Sequence, residues 1–243
     1  MRAPTRDSGK GPEITPEAYA AWRATTIGRV TEETEADLVF ELAGSLQGLR
    51  VLDVGAGDGC YAIAARDRGA RAVGLEPDER MLAAARTRSS ACGLGVPFVR
   101  GRGEAIPFPD ASFDVVLAVT TLCFVADAEE SVREMARVLI PGGRLVIGEL
   151  GRWNAWAAVR RIGAWRGDRT WRQARFWSRH ALRDLVERVG LRVEALRGAI
   201  HYPPLAFAAR ALRPADRLLG RLHAPGAAFL ALSAEKIGGL DER

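Results

Sequence analysis

The chain has 243 residues, 48% of them hydrophobic and only three of them cysteine. That is enough to bury the core of one domain and too few thiols for a disulfide scaffold. The net charge of +5 conceals a division: residues 1–150 hold 17 basic and 22 acidic side chains, net −5, while residues 151–243 hold 18 and 8, net +10.

Residues 1–14 are polar with Gly and Pro and are expected to be disordered. Tyr19 and Trp22 follow, one helical turn apart. Residues 32–44 predict a helix with acids in its first turn and Gly44 ending it. "RVLDVG" predicts a strand, residues 59–68 a helix, "ARAVGLE" a strand and "DERMLAAARTRSSA" a helix with Asp78 as its N-cap. "VPFVRG" and the almost wholly apolar "FDVVLAV" predict strands. "DAEESVREMARVL" predicts a helix and "PGGRLVIGEL" a turn and strand. Residues 152–178 break the alternation with Trp and Arg. It resumes with helix 179–189, closed by Gly190, and strand "LRVEALRG". Residues 203–222 read as short helices broken by Pro203, Pro204 and Pro214, before a last strand in "GAAFLALSAEK". Apolar strands alternating with helices imply a mostly parallel sheet covered on both faces.

The thiols Cys60, Cys92 and Cys123 lie far apart with no CxxC pair, and His180, His201 and His223 are as scattered. No metal site is read from them, and the thiols are expected to be reduced in a cytoplasmic protein. No stretch has the apolar length of a signal peptide or a membrane-spanning helix.

The chemistry centres on "VLDVGAGDGCYA", where Gly55, Gly57 and Gly59 follow the first strand directly. A turn without bulky side chains lets a ligand approach the main chain and the first amides of the next helix. The dinucleotide fingerprint G-x-G-x-x-G is not met, because the third glycine falls one residue early and Cys60 holds its place. The lysine of a phosphate-binding Walker loop is absent as well.

"VLDVGAGDG", "GLEPDERMLAAAR", "GEAIPFPDASFDVVLA" and "REMARVLIPGGRLVIGEL" together resemble the class I S-adenosylmethionine-dependent methyltransferases of the type 11, ubiquinone/menaquinone-methyltransferase-like group, over residues 15 to 150. The resemblance implies a Rossmann-like α/β domain over residues 15–243. Its seven-stranded, mostly parallel sheet has helices on both faces and an antiparallel last strand, and a helical cap is inserted at 152–179. It implies S-adenosyl-L-methionine as cofactor. The Gly55–Ala56–Gly57–Gly59 turn would lie under it, Asp53 would hold its ammonium group and Glu76 its ribose hydroxyls. Pro77 and Met81 would lie beside adenine, with Gly103 or Glu104 reading the base, since Arg102 stands where relatives often carry an acid. Thr120 would contact the methionine part, and Tyr19 would sit in an N-terminal lid.

The histidine segment that relatives often place after the fourth strand reads "TTLCFV" here, so no catalytic base is assigned; His201 is a candidate, with Glu149 and His180. The cap holds five of the six tryptophans and eight arginines against one acid, Asp168. Tryptophan supplies broad apolar walls and arginine binds acidic groups. The expected acceptor is therefore a small molecule that is aromatic, quinone-like or amphiphilic and carries an acidic group. Contact with an anionic membrane surface is a second use of the same residues; nucleic acid is disfavoured. Alternatives are a nicotinamide-dependent oxidoreductase, a non-catalytic S-adenosylmethionine-binding regulator and a thiol-based arsenite methyltransferase.

Overall fold

The computed structural model describes residues 15–237. The elements in chain order are α1 (Pro16–Ala24), α2 (Thr26–Ala43), β1 (Arg50–Val54), α3 (Cys60–Asp67), β2 (Arg71–Glu76), α4 (Glu79–Ala91), β3 (Phe98–Arg100) and β4 (Phe113–Val119). They continue with α5 (Ala128–Val138), β5 (Leu139–Leu150), α6 (Ala155–Trp165), α7 (Arg169–Gln173), α8 (Arg179–Arg188), β6 (Leu191–Ala199), α9 (Ala206–Arg221) and β7 (Phe229–Lys236).

The seven strands form one sheet in the order β3-β2-β1-β4-β5-β7-β6. Strand β1 pairs in parallel with β2 on one side and β4 on the other. The chain reverses its winding direction between those two pairings, so a crevice opens above the carboxyl end of β1. Strand β7 is antiparallel to both β5 and β6, as expected for the last strand. The central strands read as apolar runs because both faces are covered. One face buries residues of α2, α3, α4 and α9, including Phe40, Ile63, Leu82 and Ala209. The other buries α5 and α8 through Val132, Met135, Leu182 and Val186.

Local chemistry accounts for most of the element ends. Asp78 caps α4 by accepting from the Arg80 and Met81 amides. Gly44 ends α2 at φ +73. Helix α1 starts at the Thr15 cap, with Pro16 in its first turn. Two expectations change. Helix α2 begins at Thr26, six residues before the predicted start, because the Thr25 hydroxyl accepts from the Gly28 amide and caps it. Residues 206–221 form one helix through Pro214 rather than short pieces. Its interior is anchored by Asp216, whose carboxylate accepts from the Ile200 and His201 amides. Residues 1–14, expected to be disordered, lie outside the described residues. Among those described, no helix is long and apolar enough to cross a membrane.

Candidate functional site

The site is built on the crevice above β1. Asp53, the fourth residue of β1, is 2% exposed, and its Oδ2 accepts from the Ala62 amide at 2.9 Å. Burial pushes its carboxyl up to about 8 against that amide bond, and the neighbouring carboxylates of Glu76 and Asp58 push the same way. Glu76 ends β2. Its Oε2 accepts from the Gly57 amide at 2.9 Å and its Oε1 from the Asp78 amide at 3.0 Å. Burial raises this carboxyl too, against both amide bonds.

The three glycines serve different purposes. A Cβ at Gly55 would stand 2.5 Å from the Thr121 hydroxyl, and one at Gly59 would stand 2.6 Å from the Phe98 ring. Those two are small because the fold packs against them. Gly57, at φ +55, faces open space: nothing lies within 4 Å of a Cβ there. The bare ledge is therefore Gly57, with Asp53 and Glu76 on either side. Ala56 beside it is buried, and its amide donates to the Leu75 carbonyl.

The turn after β4 forms the next wall. Thr120 takes φ +50, which is costly for a β-branched residue. The following amides hold it there: Thr121 and Leu122 both donate to Glu149 Oε1, at 3.0 and 2.6 Å. Glu149 is fully buried, its second oxygen has no partner, and burial pushes its carboxyl up to about 8. The loop after β3 is the third wall. Gly103 is buried against Ser131, and Glu104 accepts from the Ala126 amide at 3.0 Å. Arg102 lies 3.6 Å from Glu104 and extends into solvent. Met81 is buried at the start of α4 and Pro77 is exposed beside it.

Helix α1 is fixed against the glycine turn by residues the sequence reading did not single out. Asp58, in the glycine turn, accepts from Arg23 Nη1 at 2.9 Å and from Arg88 Nη1 at 3.1 Å. A second Arg23 nitrogen closes a bidentate pair. Arg23 also stands 4.7 Å over the Tyr19 ring, and Tyr19 stacks at 5.8 Å on Trp22. Glu32, Glu35 and Cys60 surround the Tyr19 hydroxyl closely enough to raise it further above a pKa that burial already elevates. The only sequence signal for this clamp was an acid, Asp58, inside the glycine turn; its partners Arg23 and Arg88 lie 35 and 30 residues away.

The segment after β5 leaves at Gly151 and returns at Trp177, which bridge in parallel. Trp156 and Trp177 point inward and are buried, whereas Trp153 and Trp165 are exposed. Inside, the Arg160 guanidinium stands 4.5 Å from the Trp171 ring and 5.5 Å from the Trp156 ring. Glu35 on α2 faces it. Burial raises the Glu35 carboxyl to about 8 and lowers Arg160, while each favours the charge of the other.

The three candidate bases are not brought together. His180 is exposed and pairs with Asp184 at 3.1 Å. His201 lies past the edge strand β6, three strands from β4 and so on the order of 14 Å away along the sheet. Its Nδ1 bonds Asp216 at 2.9 Å, and its Nε2 is enclosed without a partner. Cys60 donates to Glu32 and is pushed up to about 12 by burial, and Cys123 is fully enclosed, where burial raises its thiol well above the ordinary value. Neither is a ready thiolate at neutral pH.

Residues 52–147 match the family model described as "Methyltransferase domain". These residues are thus similar to a methyltransferase domain, and the chain shares the fold of solved S-adenosylmethionine-dependent methyltransferases. An uncharacterized protein of Mycobacterium tuberculosis is 37% identical over 187 residues, which are 77% of this chain and 62% of that one. The demethylmenaquinone methyltransferase of Thermus thermophilus is 42% identical over 113 residues, 46% of this chain and 50% of its own. The chain thus matches between half and two thirds of the length of these relatives. An S-adenosylmethionine-dependent methyltransferase of Thermotoga maritima superposes with a TM-score of 0.68 at 25% identity, over 90% of this chain and 95% of its own. Geranyl diphosphate methyltransferase, solved with geranyl diphosphate and sinefungin, shares the fold at a TM-score of 0.67 and 17% identity, over 93% of this chain and 88% of its own. The site fits S-adenosylmethionine on its own chemistry. Asp53 and Glu76 set two buried carboxyl groups beside an open glycine ledge, acceptors for an ammonium group and for ribose hydroxyls that would repel a pyrophosphate once ionised.

Proposed function

We propose that the chain is an S-adenosylmethionine-dependent methyltransferase acting on a small amphiphilic acceptor with an aromatic or quinone-like body. The observation that carries this reading is the open Gly57 ledge between two buried carboxyls. When bound, S-adenosylmethionine supplies an electrophilic methyl group on a sulfonium. The chain's own residues bind and align. Asp53 holds the ammonium group through its free oxygen, because only Oδ2 is engaged by Ala62. Each Glu76 oxygen accepts one amide already and keeps a lone pair for a ribose hydroxyl. The main chain near Gly103 reads the adenine, with Met81 as apolar surface. Glu104 holds the loop through the Ala126 amide rather than reading the base.

The acceptor enters beneath the cap, against Trp156 and Trp171, with Arg160 paired to its acidic or electron-rich oxygen. The demethylmenaquinone methyltransferases among the relatives support a quinol-like body. Catalysis then rests on alignment and exclusion of water, which can supply about 7–11 kcal/mol, rather than on a positioned base. His180 and His201 stand away from the ledge, and Glu149 is spent on holding the Thr120 turn.

Calorimetry with S-adenosylmethionine, S-adenosylhomocysteine and a nicotinamide dinucleotide tests the cofactor. Binding of the first two is expected, and binding of the dinucleotide alone would overturn the proposal. Methyl transfer from labelled cofactor to a panel of naphthoquinols and carboxylated phenols tests the acceptor. No transfer to any of them, with the cofactor bound, would favour the regulator reading.

A further inference from the structure

Nine of the ten exposed large hydrophobic side chains among the described residues lie between Trp153 and Leu222. The cap helix α6 concentrates them in an inverted pattern. Ala155, Ala158, Val159, Ile162 and Trp165 recur at the spacing of one helical face, and all five are exposed. Its other side turns Trp156, Ala157 and Arg160 inward. The apolar stripe thus faces water, extended by Trp153 before the helix. Trp165 is 86% exposed and Trp153 is 70% exposed. Lone surface apolar residues need no explanation, but an unpartnered stripe does.

The charge around the stripe selects the occupant. Residues 152–179 carry eight arginines and one acid. Arg161 is exposed on α6 and Arg166 at its C-cap, and Arg152 stands 5.1 Å over the Trp153 ring. A second copy packed symmetrically on this face would set arginine against arginine. The centre of a protein interface is also depleted of charge. An apolar stripe with tryptophan at its ends and arginine along its edges matches the boundary between lipid headgroups and acyl chains. Helix α9 repeats the pattern. Phe207, Leu218 and Leu222 are exposed, and Arg217 and Arg221 beside them share a single carboxylate, Glu41.

We propose that the outward face of the cap docks on an anionic lipid bilayer. Val159, Ile162 and Trp165 enter the headgroup–acyl boundary, and Arg161 and Arg166 meet lipid phosphates. The proposal stands on the exposed stripe and its charge and does not depend on methyl transfer.

Co-sedimentation with vesicles of phosphatidylcholine, with and without phosphatidylglycerol, tests it on the full chain without cofactor. Sedimentation is expected with the anionic vesicles only and is weakened by salt. The Ile162→Ser/Trp165→Ser variant should lower partitioning at least about tenfold. Arg161→Gln and Arg166→Gln should each lower it about fivefold. All should keep the wild-type melting temperature, since the changed side chains are exposed. The proposal is overturned by no sedimentation, by equal sedimentation with neutral vesicles, or by a serine variant that binds like wild type. It is overturned equally if light scattering shows a wild-type dimer that the serine variant splits, for the face is then a contact between copies.

Discussion

Replacing Asp53 with Asn removes one charge from beneath the ledge and keeps the side chain's shape and its acceptor for the Ala62 amide. Burial raises this carboxyl from 3.8 to about 8, so at pH 7 the ligand-free protein holds it mostly protonated. The raised value fixes the sign. Without ligand, the group's contribution to stability falls as pH climbs from about 4 to about 8. A bound cation favours the ionised form, so binding releases a proton and affinity rises over the same interval. Ionising Asp53 at pH 7 costs ~1.4 kcal/mol, set against a charge-assisted hydrogen bond of up to ~3 kcal/mol. The variant should therefore bind S-adenosylmethionine about 15-fold more weakly than wild type at pH 7. Calorimetry in buffers of different ionisation enthalpy should find about 0.9 proton released by the wild type at pH 7, and close to none from this position in the variant. A wild-type proton release near zero, or one that the variant keeps in full, would refute the assignment of Asp53 to the ammonium group.

Gly57→Ala should abolish cofactor binding with little change in melting temperature beyond the strain of φ +55, because its Cβ enters only the open ledge. Gly59→Ala should instead lower the melting temperature, since its Cβ meets the Phe98 ring at 2.6 Å; the reverse ranking would mean that the wrong glycine has been given to the ligand. Arg23→Ala leaves the buried Asp58 to Arg88 alone, and limited proteolysis should then cut within α1 well before the rest of the domain, in a protein destabilised by up to ~3 kcal/mol. His201→Gln should reduce thermal stability through the lost Asp216 pairing and leave turnover within about twofold, whereas a large loss of turnover at unchanged stability would restore it as a base.

The strand–helix alternation was legible because the two periodicities and the caps are local. Asp78, Gly44 and Gly190 act within a few residues of themselves, and a buried parallel strand needs only its own apolar run. Asp53, Glu76 and the glycine turn were legible for a related reason. They lie at or just beside the carboxyl ends of the strands that carry them, and parallel strands deliver those ends to one crevice whatever the loops do. Pro214 shows where local reading stops, since the Asp216 carboxylate holds together a helix that propensity alone would break. Only the tertiary structure could divide the glycines, because which Cβ has room depends on Thr121 and Phe98, distant in sequence. It likewise joined Arg23, Asp58 and Arg88, set Arg160 against Glu35 and moved His201 to the far edge of the sheet. It also sorted the tryptophans of one short segment into two that are buried and two that face water. Composition fixes how many such side chains a segment has. Which side of a helix meets the core, and which is left to another phase, is decided by what the rest of the chain folds against it.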